Sequence, residues 1–198
     1  MKKLASLFAL LGNACSPCRK LPLSEADRAW VAAYPTIGRQ LTFRSPQGNA
    51  LHYHVAVRVD TYTNLDCNWL EIGLKQPAHF HVTLRTPTAT PNTIYDRDDL
   101  TLYLVKWSKS QPAKLDFRMA GLEAYINEEY DNHRFRLEPR PCTLQSSGRS
   151  YPRAYYFEAS RNAIGYRPGT WRSFYWDQQA GLLRLEAADG EAFELVDE

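Results

Sequence analysis

Apolar and polar residues alternate with a period of two from about residue 38 to the end of the chain. Short clusters rich in Pro, Gly and Asn, such as SPQGN at 45–49 and YRPGT at 166–170, interrupt the alternation. Successive side chains of a strand point to opposite faces, so each segment would bury one face. The pattern therefore predicts an all-β domain over 38–198, an antiparallel meander of about ten strands. A single barrel and a sandwich fit it equally.

Two local signals place turns and a helix within this plan. Asp189 and Gly190 separate the segments LLRLEA and AFELVD and predict a two-residue hairpin. Ser24 with Asp27 three residues later forms a capping-box pattern, which predicts one short helix around 24–33. We therefore expect residues 15–37 to form a tether followed by this helix.

The first residues are typical of a signal peptide. Lys2 and Lys3 precede an apolar run at 4–11, and small or polar residues follow it up to position 14. The run is too short to span a bilayer. Residues 1–14 are therefore interpreted as a lipoprotein signal peptide, and an ordinary amphipathic first helix is the alternative.

Cys15 is the predicted lipid-attachment residue, because Ala14 precedes it as in a lipobox. Leu11 lies four residues before Cys15 and not the usual three, so a secreted soluble protein remains the alternative. The expected partner is a membrane, reached through the N-terminal lipid. Ser16 is not the aspartate that retains lipoproteins in the inner membrane, which favours the outer membrane of a bacterial envelope, facing periplasm or surface.

The charge balance argues against nucleic acid as a partner. Without residues 1–14 the chain carries 22 basic and 22 acidic side chains. A neutral chain lacks the positive field that captures polyanions. The apolar fraction of 44% is enough for one domain with a real core.

Four cysteines are present. The Cys15-x-x-Cys18 pair lacks the βαβ context of a redox motif and the second close pair of a zinc site. An oxidising compartment would allow Cys67 and Cys142 to form a disulfide, with Cys18 unpaired in the tether. Ordinary buried thiols at positions 67 and 142 are the alternative.

Two H-x-H segments suggest a metal site as an alternative function. His52 and His54 lie in one predicted strand, and His79 and His81 lie in another. In the first strand the apolar set is expected to be Tyr53, Val55, Val57 and Val59, which leaves the histidines on the polar face with Arg58 and Asp60. The nearby arginines disfavour a divalent cation, so solvent-exposed histidines are the simpler interpretation.

No motif for catalysis is evident. The acidic segments YDRDDL at 95–100 and NEEYDN at 127–132 lack a calcium-loop pattern and read as polar turns. The sequence contains no nucleophile elbow and no phosphate-binding glycine loop. We therefore expect no catalytic residue and no cofactor.

Aromatic residues make up 13% of the chain. Most of them should fill the core, but a barrel mouth could also hold an apolar or glycan ligand. The candidate lining residues are Trp107, Trp171, Tyr175 and Trp176.

The two ends of the chain resemble small uncharacterised lipoproteins of Bacteroidetes-type bacteria. The carrying features are LSEADRAW at 23–30, Phe43 with Ser45 and Gly48, and a closing hairpin with Tyr175, Gly181 and Asp189-Gly190. The resemblance implies a lipoprotein with an all-β fold and no particular activity. The expected function is therefore non-catalytic binding of an apolar or glycan ligand or of an envelope protein. A metal-dependent enzyme and a purely structural envelope component are the alternatives.

Overall fold

The computed structural model describes residues 18–63, 75–87, 99–119, 122–126, 137–158 and 171–196. Within these ranges one short helix accompanies fourteen strands. Their bounds are β1 (Arg19–Leu21), α1 (Glu25–Ala29), β2 (Gln40–Arg44), β3 (Ala50–Tyr62), β4 (Lys75–Arg85), β5 (Leu100–Val105), β6 (Lys114–Met119), β7 (Leu122–Ile126), β8 (Glu138–Pro139), β9 (Cys142–Thr143), β10 (Ser150–Tyr151), β11 (Tyr155–Glu158), β12 (Trp171–Asp177), β13 (Gly181–Ala187) and β14 (Ala192–Val196).

One antiparallel sheet dominates the protein, which confirms the all-β prediction. Its strand order is β7-β6-β5-β4-β3-β2-β14-β13-β12-β11-β8. Two meanders, β2 to β7 and β11 to β14, are thus joined where β2 pairs with β14. The sheet curls into a half-barrel. The sequence left barrel and sandwich open, and the observed form is a partly open barrel.

The core fills the concave side of the curled sheet. Phe117 on β6 packs edge-on against Trp176 on β12, with ring centroids 4.8 Å apart. Phe174 is 5.5 Å from the same phenylalanine ring. The two wings of the sheet therefore share one core, and burying large aromatic side chains there is a main source of its stability.

The hairpin and the helix cap are confirmed, but the predicted two-residue turn is wrong: the Ala187 N–H donates to the Glu191 carbonyl at 2.8 Å, which leaves the three residues 188–190 in the loop. Gly190 has a φ of 95° in the turn between β13 and β14, a conformation that glycine adopts without strain. Ser24 caps α1, and Asp27 completes the capping box by accepting from the Ser24 backbone N–H at 2.9 Å. The helix, Glu25–Ala29, is shorter than the predicted range.

The prediction of a free tether is wrong for the residues after Cys18. Strand β1 pairs in parallel with the first three residues of β4. Leu21 and Leu23 are buried. These apolar side chains bring the segment into the folded body, because leaving them in water would cost free energy.

A β-bulge in β3 reverses the predicted faces of that strand. Val55 pairs with Leu84 but Val57 pairs with Thr83, so one extra residue lies between them. Beyond the bulge, Arg58 pairs with the buried Val82, and Val57 and Val59 turn to the outer face. The expectation that Val57 and Val59 join the apolar core is therefore wrong.

The cysteine predictions are also corrected. Cys142 is a free, buried thiol, so the predicted disulfide between Cys67 and Cys142 is wrong. Cys18, expected to be unpaired, is disulfide-bonded. Cys15 and Cys67 lie outside the described residues, as does the signal peptide predicted over 1–14.

Candidate functional site

The outer face of β3, β4, β5 and β6 presents an aromatic cluster to solvent. The strand register places Val59, His81, Tyr103 and Asp116 in one row across the four strands. His79 lies two residues before His81 and therefore on the same face. We call His79, His81, Tyr103, Val59 and Arg118 the His–Tyr face.

Its three rings form a stack. The ring centroids of His81 and Tyr103 are 4.6 Å apart and the planes are inclined by 19°. His79 is nearly parallel to Tyr103, with a centroid distance of 6.0 Å. Arg118 covers the tyrosine ring at 5.7 Å. The three ring planes are nearly parallel, and the ring edges and polar atoms are what this cluster can offer to a ligand.

Hydrogen bonds hold His81 in place. Its Nε2 lies 2.9 Å from the Thr83 hydroxyl, which in turn lies 3.4 Å from the Thr101 hydroxyl. Partial burial, with a smaller effect of His79, lowers the pKa of His81 below its usual value. The lowered pKa favours the neutral ring, and because Nε2 is engaged with Thr83, Nδ1 is the ring nitrogen that can donate a hydrogen bond to a ligand or accept one from it.

The bulge supplies an apolar neighbour to these rings. Val59 is 38% exposed and stands in register with His81. A bulge re-aims the side chains that follow it. In β3 the bulge places the aliphatic side chain of Val59 next to the rings, because the charged residues Arg58 and Asp60 lie on the opposite face of the strand.

The structure does not bring the two H-x-H segments together. His54 lies opposite Arg85, and His52 lies 3.3 Å from the Thr42 hydroxyl. Val59, the neighbour of His81, lies five positions after His54, which is about 16 Å along a strand. Within the described part of the chain, no three His, Cys, Asp or Glu side chains form a group that could hold a metal ion. The metal-site alternative gains no support from this geometry.

Two of the predicted aromatic lining residues belong to the core. Trp176 is fully buried, and Trp171 is 9% exposed and packs edge-on against Phe193 at 5.8 Å. The prediction that Trp171 and Trp176 line an open site is therefore wrong. The register of β12 against β13 shifts at two positions. Alternation in the sequence therefore cannot distinguish inward-facing from outward-facing residues of β12.

Tyr175 lies on the outer side of β12 in a closed polar cluster. Its ring is 4.7 Å from that of Tyr156, and Arg140 covers the Tyr156 ring at 3.9 Å. The Tyr156 hydroxyl donates to Glu158 at 2.8 Å. Burial, followed by this hydrogen bond, raises the pKa of Tyr156 to about 12. These contacts stabilise the covering strand β8 and leave little for a ligand.

Trp107 is exposed on the loop between β5 and β6. Of the two acidic segments, Asp99 is described, and it forms an ion pair with Arg85 at 3.0 Å. The remaining acidic residues of both segments lie outside the described residues.

Sequence reasoning missed Tyr103 as a site residue. The signal was present in LTLYLV, where Thr101, Tyr103 and Val105 alternate with three buried leucines. Reading that parity would have placed the tyrosine on the outer face, beside the histidines of β4.

Comparison with protein-family models, with curated proteins and with solved structures finds no match for the chain. In the described residues, no helix has the length and apolar character that crossing a membrane requires.

Proposed function

We propose that this protein is a lipid-anchored protein of the bacterial envelope that binds a glycan, without catalysis, through the His–Tyr face. The anchor is Cys15, after removal of a signal peptide over 1–14. The observation that supports this proposal is the partly exposed cluster of His79, Tyr103 and His81 beside an outward-turned valine.

The chemistry of this face suits a hydroxyl-rich ligand. Neutral His81, the Tyr103 phenol and the Asp116–Arg118 ion pair, 2.8 Å apart, offer donors and acceptors in one row. Val59 offers an apolar surface to the carbon-bound hydrogens of a sugar ring. Such a combination of apolar contact and a few placed polar groups is typical of ligand sites.

An apolar ligand inside the barrel is less well supported. Trp176, Phe117 and Phe174 occupy the concave side of the sheet and pack against one another. The outer face is therefore the surface that the described residues offer for binding.

An envelope protein is the second candidate ligand, and Val59 is the observation that favours it. An exposed aliphatic side chain among tyrosine, histidine and arginine matches the composition of protein interfaces, which are poor in lysine and glutamate.

The proposed anchor has a consequence for the disulfide of Cys18. A Cys15 sulfur that carries lipid in a thioether cannot also join a disulfide. Cys142 is free, so Cys67 would then be the partner of Cys18.

Binding to isolated envelope glycans tests the proposed ligand. Tyr103→Ala and His81→Ala should each weaken binding about tenfold, which corresponds to the loss of one or two hydrogen bonds. His52→Ala is the matched control, because that exposed histidine lies outside the face. Equal binding by all three variants and the wild type would exclude the His–Tyr face as the glycan site.

Mass spectrometry of the mature N-terminus from native cells tests the anchor. A diacyl or triacyl adduct on Cys15 is the expected result. A free amine at another residue would contradict the anchor without affecting the binding test.

A further inference from the structure

An exposed tryptophan projects from the end of the sheet where β4 begins and β5 ends. Trp107 is 55% exposed. Apart from Ser108, the residues of the loop from 107 to 112 are all exposed. An indole that is left in water has an apolar body and a polar edge, which is the combination that concentrates tryptophan at membrane interfaces.

A buried carboxylate holds both ends of this loop. One oxygen of Asp27 accepts from Lys106 Nζ at 2.8 Å, and the other accepts from the Ala113 backbone N–H at 2.7 Å. Lys106 Nζ also donates to the Gln111 carbonyl at 2.6 Å. Trp107 is thus carried by a pre-ordered loop, which lowers the entropy lost when the loop meets a partner.

Several basic residues lie at the same end of the sheet as the tryptophan. Strand β1 pairs with β4 at residues 75–77, and the Lys106 N–H donates to Ala78 at 3.0 Å, so β1 and the loop lie at the same end of β4. Glu25 of α1 is an exposed acid near this end. Among the described residues at this end, four exposed cations outnumber it, namely Arg19, Lys20, Lys75 and Lys109, and the Lys20 ammonium lies 5.0 Å from the centre of the Tyr62 ring.

The first described residue of the chain lies at this same end. Cys18 is buried, disulfide-bonded and directly followed by β1. Cys15 lies three positions before it, and an extended chain of that length spans about 10 Å at most. A lipid on Cys15 would therefore hold this end of the sheet, and no other, close to the headgroups.

We propose that this end docks on an anionic phospholipid surface. We call it the basic tryptophan end and define it by Arg19, Lys20, Lys75, Trp107 and Lys109. Trp107 enters the interface, and the four cations contact lipid phosphates. The proposal rests on the proposed lipid anchor, and it adds a second, protein-borne contact that orients the body on the membrane.

Tryptophan quenching by brominated lipid tests the contact in the full lipidated protein. The protein is reconstituted into vesicles of phosphatidylethanolamine and phosphatidylglycerol with brominated acyl chains. The wild type should be quenched, and Trp107→Phe should lose most of that quenching. Trp171→Phe is the matched control and should keep it, because Trp171 is buried and pairs with Ala187 at the opposite end of the sheet.

Co-sedimentation of the unlipidated Cys15→Ser protein with the same vesicles, without bromine, tests the cations. Lys109→Glu should weaken binding at least about fivefold, since one basic residue near an anionic surface contributes about that factor. Arg149→Glu makes the same charge change in an exposed turn at the far end and should have little effect.

The outcomes separate this inference from the anchor. A lipid adduct on Cys15 together with equal quenching of Trp107→Phe and the wild type overturns the docking proposal and leaves the anchor intact. Absence of the adduct overturns the anchor. The co-sedimentation result then decides the docking surface alone, and equal effects of Lys109→Glu and Arg149→Glu overturn it.

Discussion

The buried ion pair between Lys106 and Asp27 should be a major determinant of stability. Both side chains are almost fully buried, and the charged atoms are 2.8 Å apart. Lys106→Met keeps the aliphatic stem but removes the charge, together with the hydrogen bonds to Asp27 and Gln111. The carboxylate is left buried without its cation. We therefore expect the free energy of unfolding to fall by about 3 to 5 kcal/mol.

The pH dependence should follow from Asp27. Burial alone would raise the pKa of this carboxyl, but hydrogen bonds from Ala113, Lys106 and Ser24 lower it from 3.8 to about 2. Because the pKa is lower in the folded state, ionised Asp27 stabilises the folded protein at pH values above the pKa of the unfolded chain, and this contribution is lost as the pH falls towards 2. At about 1.4 kcal/mol per pKa unit, the contribution to the free energy of unfolding is about 2 kcal/mol. Asp27→Asn should lack this loss between pH 4 and pH 2.

Urea unfolding, followed by tryptophan fluorescence at pH 7, pH 4 and pH 2, measures both effects. Arg28→Met is the matched control, since it breaks an ion pair of 2.7 Å with Asp60 whose side chains are 45% and 32% exposed. An exposed pair of this kind contributes less than about 1 kcal/mol. If Lys106→Met costs no more than Arg28→Met, the reasoning from burial is refuted. Identical acid sensitivity of Asp27→Asn and the wild type would refute the assigned pKa.

Two further perturbations test separate parts of the fold. Gly181→Ala should cost more than about 2 kcal/mol, because its φ is 82° and the new Cβ would collide with the buried Tyr34 ring. Gly48→Ala, with a φ of 90° and open space around it, should cost only about 1 kcal/mol in the same thermal unfolding series. Peptide mapping of the protein isolated from native cells, without reduction, should link Cys18 to Cys67, and a disulfide between Cys15 and Cys18 would contradict the lipid anchor.

Local sequence patterns determined the elements of this protein. Alternation marked β2, β6 and β14 within a residue or two, the Asp189-Gly190 pair located a hairpin, and Ser24 with Asp27 located the helix start. These signals are local because strand alternation, turn geometry and capping each depend on residues a few positions apart.

Tertiary contacts decided which face of the sheet each side chain occupies and which distant residues and strands pair with each other. The run of Val55, Val57 and Val59 looks regular, and the bulge that turns two of them outward exists because of the register with β4. Asp27 forms an ion pair with Lys106, which lies 79 positions later in the chain, and β2 pairs with β14 at the other end of the domain sequence. Such long-range pairs form because a single sheet closes around a single core. The alternation of apolar and polar residues does not determine these pairs, because the same alternation is compatible with any order of the strands.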